Sequence, residues 1–147
     1  MSSSPSAVPT VARTEDATVP GPVLDASAVL AANFDEAGSD PVAAHLPGAA
    51  ISAVNLAEVL AKLRDLGMPD TTIAAIVEGL QLTILPFEAA LAEDSARLRP
   101  LTRPAGLSLG DRVCLATARL CGVPALTADR AGARPPAETE VRIELVR

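Results

Sequence analysis

At 147 residues, with a net charge of −6 and neither Trp nor Tyr, the chain is one domain's length and can bury a core without disulfides or a structural metal. Phe34 and Phe87 are its only aromatic residues, so the core is aliphatic and a base-stacking platform is nearly excluded. No apolar run approaches the roughly 20 residues of a membrane span, and a basic start followed by an apolar signal core is missing. Cys114 and Cys121 lie seven apart in one expected helix, a rise of roughly 10 Å that is too long for a disulfide between them. The expectation is a cytoplasmic, reduced protein away from membranes.

The charge is unevenly placed, at −10 through Ala96 and +4 from Arg97 onward. Arg97, Arg99, Arg103, Arg112, Arg119, Arg130 and Arg134 are candidates for a positive rim, since the planar guanidinium suits phosphate. A solvated face with ordinary ion pairs explains them equally well.

Residues Met1 to Gly21 are rich in Ser, Thr, Pro and Ala without periodicity and cannot bury enough surface to offset ordering entropy. They are expected to be a disordered tail, with one domain over 22–147. Pro20, Gly21 and Pro22 lead into a short apolar strand ending near Asp25, and Ala26 to Asn33 reads as a helix. Pro41 to Leu46 is a second, short helix, and Ala49-Ala50-Ile51 a buried strand. Ser52 is a plausible N-cap for the clearest helix, in which Leu56, Val59, Leu60 and Leu63 recur at helical spacing before Gly67 and Pro69 stop it. Asp70 to Leu80 is another helix, Leu82 to Leu85 a strand, and Pro86 to Arg99 a helix that Pro100 ends. Ser108 to Cys121 is a capped helix closed by Gly122. Pro124 to Thr127 is a strand, and Val141 to Val146 alternates as an edge strand. Strands alternating with helices imply an α/β fold with a parallel sheet.

Four acids stand at the ends of these elements: Asp25, Glu58, Asp111 and Asp129. Each lies inside or beside an apolar segment, where a lone carboxylate is costly to desolvate. Packed together they would repel, so the set suggests a divalent cation. Each also has an ordinary explanation. Asp25 can cap a helix, Glu58 can pair with Lys62 one turn on, Asp111 can close a capping box with Ser108, and Asp129 can be a turn residue. Asn55, one turn before Glu58, shares its side of the helix and is a candidate for holding it; Ser27 and Thr127 are candidates for orienting ligands or waters. The only histidine, His45, belongs to none of these segments, which excludes a two-histidine acid/base ribonuclease mechanism.

Val23-Leu24-Asp25-Ala26-Ser27-Ala28, Ile51-Ser52-Ala53-Val54-Asn55-Leu56-Ala57-Glu58-Val59, Leu107-Ser108-Leu109-Gly110-Asp111-Arg112 and Leu126-Thr127-Ala128-Asp129-Arg130 resemble, in order and spacing, the successive signatures of PIN-domain nucleases, in particular the VapC-type toxins of toxin-antitoxin pairs. The resemblance covers Val23 to Val146. It implies a three-layer α/β/α domain with a central parallel sheet. It also implies a metal-dependent endoribonuclease, with Mg2+ or Mn2+ held by Asp25, Asp111 and Asp129 and Glu58 completing the cluster. An RNA substrate, a cognate antitoxin and a homodimer are implied too, with Arg112 and Arg130 as candidate substrate contacts. After the segment matching Asp129-Arg130, relatives often carry an aromatic residue; this chain reads Ala131-Gly132-Ala133-Arg134-Pro135-Pro136. The competing function is a non-catalytic PIN-like module acting through a protein partner. A phosphotransfer domain fits poorly, because Ser27 stands where a dehalogenase-type phosphatase needs a second Asp and a receiver domain needs a late lysine.

Overall fold

The computed structural model describes residues 21–34, 46–130 and 137–146. The expected tail through residue 20 lies outside them, as do His45, Arg134 and residues 41–45 of the helix expected over Pro41 to Leu46; Leu46 itself is described and is not helical. In chain order the elements are β1 (Val23–Leu24), α1 (Ala26–Asn33), β2 (Ala50–Ser52), α2 (Ala53–Asp65), α3 (Asp70–Leu80), β3 (Thr83–Leu85), α4 (Ala89–Arg97), α5 (Arg99–Thr102), α6 (Leu109–Cys121), β4 (Ala125–Thr127) and β5 (Ile143–Leu145).

All strand pairings are parallel, and the order across the sheet is β3-β2-β1-β4-β5. The chain therefore winds outward from β1 through β2 to β3, then returns to the other side of β1 for β4 and β5. The reversal falls between β1 and β4, and in open parallel sheets the carboxyl ends of strands at such a reversal form a ligand crevice.

Strand alternation divides the core. Val23, Ala50, Leu85 and Ala125 pack with Leu91, Leu98, Cys114, Leu115 and Ala118 on one face. Leu24, Ile51, Ile84 and Leu126 pack with Val29, Val59, Leu63 and Ile73 on the other. Helices α1 to α3 thus cover one face and α4 to α6 the other, which is the expected three-layer arrangement. Ala50 and Ala125 flank Val23 in register, and these small side chains let α6 lie close over the strands that carry the site.

Local signals account for the boundaries. Ser52 caps α2 by accepting the Asn55 N–H, and Ser108 caps α6 within a complete capping box. Gly122 ends α6 at φ 67°, a left-handed conformation in which a Cβ is penalised. One expected boundary is corrected: the helix from Pro86 begins only at Ala89 and ends at Arg97, and Pro100 lies in the first turn of α5. A proline's missing N–H costs nothing in a first turn, where that donor has no intrahelical partner. Gly21, assigned to the tail from sequence, donates its N–H to Gly48 O at 3.0 Å.

Candidate functional site

Asp25 directly follows β1 and is the N-cap of α1, at φ −84° and ψ 176°. Its Oδ1 accepts the Ala28 N–H at 2.9 Å and the Ser27 hydroxyl at 2.7 Å. The Ser27 hydroxyl oxygen also accepts the Ala128 N–H at 2.9 Å and lies 3.2 Å from Thr127 Oγ1. Thr127 Oγ1 in turn accepts the Asp129 N–H at 3.0 Å. The ends of β1 and β4 are thereby tied through two hydroxyls, which orient Asp25 and the turn bearing Asp129. Sequence placed Ser27 and Thr127 at the site, and the structure joins them to each other.

Burial pushes the Asp25 carboxyl above its ordinary value; the hydroxyls of Ser27 and Thr127 and the Ala28 N–H oppose this, and the nearby Asp111 carboxylate adds to it. Asp111 occupies the third position of α6, where its Oδ2 accepts the Ser108 N–H at 2.8 Å. The ordinary explanation for both acids, capping, is therefore observed. It engages one oxygen of each carboxylate.

Glu58 is the odd member, because it lies inside α2 rather than at a helix start. Among the described residues it makes no ion pair with Lys62. Instead Asn55 Nδ2 donates to Glu58 Oε1 at 2.8 Å and to the Gly110 carbonyl at 3.0 Å. The other end of the amide is fixed too, since the Ser52 hydroxyl donates to Asn55 Oδ1 at 2.8 Å. Asn55 and Ser52 are fully buried, so this chain of bonds joins α2 to α6 beneath Glu58 and beside Asp111. Sequence reasoning gave Ser52 only its capping role. The Ser-x-x-Asn spacing was the available signal for its second.

Cys114, one turn beyond Asp111, lies under the acids. Its thiol is pushed well above the ordinary value, first by burial and then by the charges of Asp25, Asp111 and Glu58. Three acids from three elements therefore share one electrostatic neighbourhood, and the protonated thiol is no nucleophile. Asp25, Asp111, Cys114 and Thr127 line a cavity of about 10 Å³ with Leu115, Ala125, Leu126 and Ile143, room for about one water. Asp129 is exposed and does not line it.

The donor set is all oxygen and anionic, which suits a hard divalent cation. Among the described residues, however, no three Asp, Glu, His or Cys side chains stand close enough together to hold a metal ion. The chemistry fits; the spacing does not by itself enclose an ion.

The arginines are dispersed. Arg112 donates from Nη1 to the Ser95 carbonyl at 3.1 Å, tying α6 to α4. Arg97 pairs with Glu93 and Asp94, and Arg119 reaches Glu140 at the far end of α6. Arg130 is exposed beside Asp129. No helix among the described residues is long and apolar enough to cross a membrane.

The sequence model described as "PIN domain" matches residues 23–137. No curated protein matches the sequence. Among solved structures, the chain is similar to one from a toxin-antitoxin complex of Klebsiella pneumoniae, at 24% identity and a TM-score of 0.60 over 76% of this chain and 89% of that one. It is similar to a chain of DNA-bound VapBC from Salmonella typhimurium, at 19% identity and 0.63 over 85% and 97%. A third likeness is to FitAcB from Neisseria gonorrhoeae, at 20% identity and 0.56 over 82% and 94%. At these identities the likeness is one of fold.

Proposed function

Because the chain belongs to the PIN-domain family, we propose that it is a metal-dependent endoribonuclease, the toxin of a toxin-antitoxin pair, that hydrolyses RNA phosphodiester bonds with water activated by Mg2+ or Mn2+. The observation that carries this reading is that Asp25 and Asp111 line one cavity, with the Glu58 carboxylate packed against Gly110 beside Asp111, at the carboxyl end of a parallel sheet where the strand order reverses.

Asp25, Asp111 and Asp129 would hold the cation, and Glu58 completes the acidic cluster. Once bound, such a cation lowers the pKa of water and neutralises charge on the phosphate. Ser27 and Thr127 fix the Asp25 carboxylate and the Asp129 turn, and Asn55 fixes Glu58. Arg130 contacts an RNA phosphate near Asp129, and Arg112, tied through Nη1 and with Nε buried, is the second substrate contact. A cognate antitoxin masks this end of the sheet, and two copies pair as a homodimer; the toxin-antitoxin complexes among the similar structures support the partnership.

The test is cleavage of structured RNAs, tRNA and rRNA included, by purified antitoxin-free protein and its Asp111→Asn variant, with and without Mg2+ or Mn2+. The amide oxygen of Asn preserves the cap on Ser108 N–H while removing the charge. Cleavage is expected only from the unmodified protein plus metal, leaving 5′-phosphate and 3′-hydroxyl ends. Cyclic phosphates formed in EDTA would refute the mechanism. A second reading, a binding module without turnover, is favoured by the lack of a closed ligand set among the described acids; it is the conclusion if no substrate is cut.

A further inference from the structure

Gly110 immediately precedes Asp111, and α6 does not need a glycine there. Gly110 is the second residue of α6 and is absent from the positions of positive φ, so the backbone there has no conformational need of Gly over Ala. The reason for it lies across the site. A Cβ built on Gly110 would fall 2.7 Å from both Cδ and Oε2 of Glu58 and nearer still to Oε1. The carboxylate of α2 therefore rests against the bare backbone of α6, one residue from Asp111. The Gly110 carbonyl also accepts from Asn55 Nδ2 at 3.0 Å, and the same nitrogen donates to Glu58 Oε1 at 2.8 Å. One buried amide thus holds both the carboxylate and the backbone it rests on.

We propose that Gly110 is a positioning residue of the site: its missing side chain, together with the bond from its carbonyl to Asn55, forms the seat that holds the Glu58 carboxylate beside Asp111. This rests on the metal-dependent reading above and extends it to a residue that touches neither cation nor substrate. The geometry separates the seat from the fold, because the atoms that a Cβ would displace are the far end of one flexible side chain. An alanine at 110 pushes Glu58 off its seat and breaks its bond to Asn55, while α6 gains a better helix former.

The experiment compares the full chain with Gly110→Ala, Gly110→Ala/Glu58→Asp and Gly110→Ala/Glu58→Ala. Thermal melting is measured in EDTA, and binding of Mn2+ alone is measured by calorimetry. Gly110→Ala is expected to melt close to the unmodified protein, the lost Glu58–Asn55 bond offsetting the better helix former, yet to bind Mn2+ at least tenfold more weakly. Shortening the acid by one methylene in Gly110→Ala/Glu58→Asp relieves the overlap and is expected to restore part of that binding. Mn2+ affinity in Gly110→Ala within twofold of the unmodified protein overturns the assignment. If Gly110→Ala does not fold, recovery of folding in Gly110→Ala/Glu58→Ala supports the seat, and continued failure overturns it. An unmodified protein that binds no Mn2+ overturns the metal-dependent reading itself and this assignment with it, an outcome distinct from equal binding by both.

Discussion

Truncation of Asn55 to alanine is expected to cost stability even in EDTA, because the amide is a strut between helices before it is anything else. Asn55 is 1% exposed. Its side chain makes three hydrogen bonds, to Ser52, Glu58 and Gly110. At about 1 kcal/mol net for each, the loss comes to about 3 kcal/mol. The Ser52 hydroxyl and the Gly110 carbonyl, left without this partner in a buried place, keep the figure from falling much lower. For a domain of this size about 4 °C of melting temperature accompanies each kcal/mol, so Asn55→Ala should melt about 12 °C lower. Urea denaturation in EDTA checks the free energy directly, with an unchanged m-value showing that the folded state is otherwise the same. A loss below about 1 kcal/mol would mean that the amide does not bridge α2 and α6, because even one of the three bonds is worth that much.

Asp25→Asn is expected to stabilise the metal-free protein at neutral pH. Burial raises the folded-state pKa of Asp25 above its ordinary 3.8, so the folded state holds its proton more tightly than the unfolded chain. Stability therefore falls as pH rises from near 3.8 through the raised value, and above it the penalty is fully present. The amide oxygen of Asn still accepts from Ser27 and Ala28, so the variant should melt higher in EDTA at neutral pH. Melting curves across pH check the sign, since the advantage must shrink as the pH falls towards 3.8. Gly122→Ala serves as a control at the other end of α6. Apart from its own residue and its chain neighbours, nothing lies within 4 Å of the added Cβ, so the cost is the left-handed backbone alone, about 1 kcal/mol or about 4 °C. Its Mn2+ binding by calorimetry is expected to be unchanged, and an unchanged melting temperature would refute the backbone argument.

The helices were most legible where their ends carry chemistry. α2 and α6 start after Ser52 and Ser108, and α6 ends at a left-handed Gly122, because capping hydroxyls and such a glycine act within a few residues of sequence; α3 runs from Asp70 to Leu80 as expected, between Pro69 and a left-handed Gln81, with no side-chain cap. Pro100 misled because the same residue that stops one helix can open the next, and only the path of the chain at Leu98 distinguishes them. The arginine rim was not legible. Arg119 finds Glu140 across 21 residues of sequence, a pairing set by the return of the chain past β4 rather than by local pattern. The strand order was likewise beyond the sequence, although it decides that the ends of β1 and β4 are neighbours and that Ser27 meets Thr127.

The acids differ in how the fold holds them. Asp25 and Asp111 lie at helix N-termini, where backbone N–H groups and the helix dipole favour a negative charge. Each is held by its own helix and keeps that hold when an amide replaces the carboxylate. Glu58 has no such support. It projects from within α2, and its position comes from Asn55 in its own helix and from Gly110 in another. Two carboxylates of the cluster are thus fixed by local structure, whereas Glu58 is fixed by packing between helices. A change that shifts α2 against α6 should therefore move Glu58 relative to Asp111 while both caps stay intact.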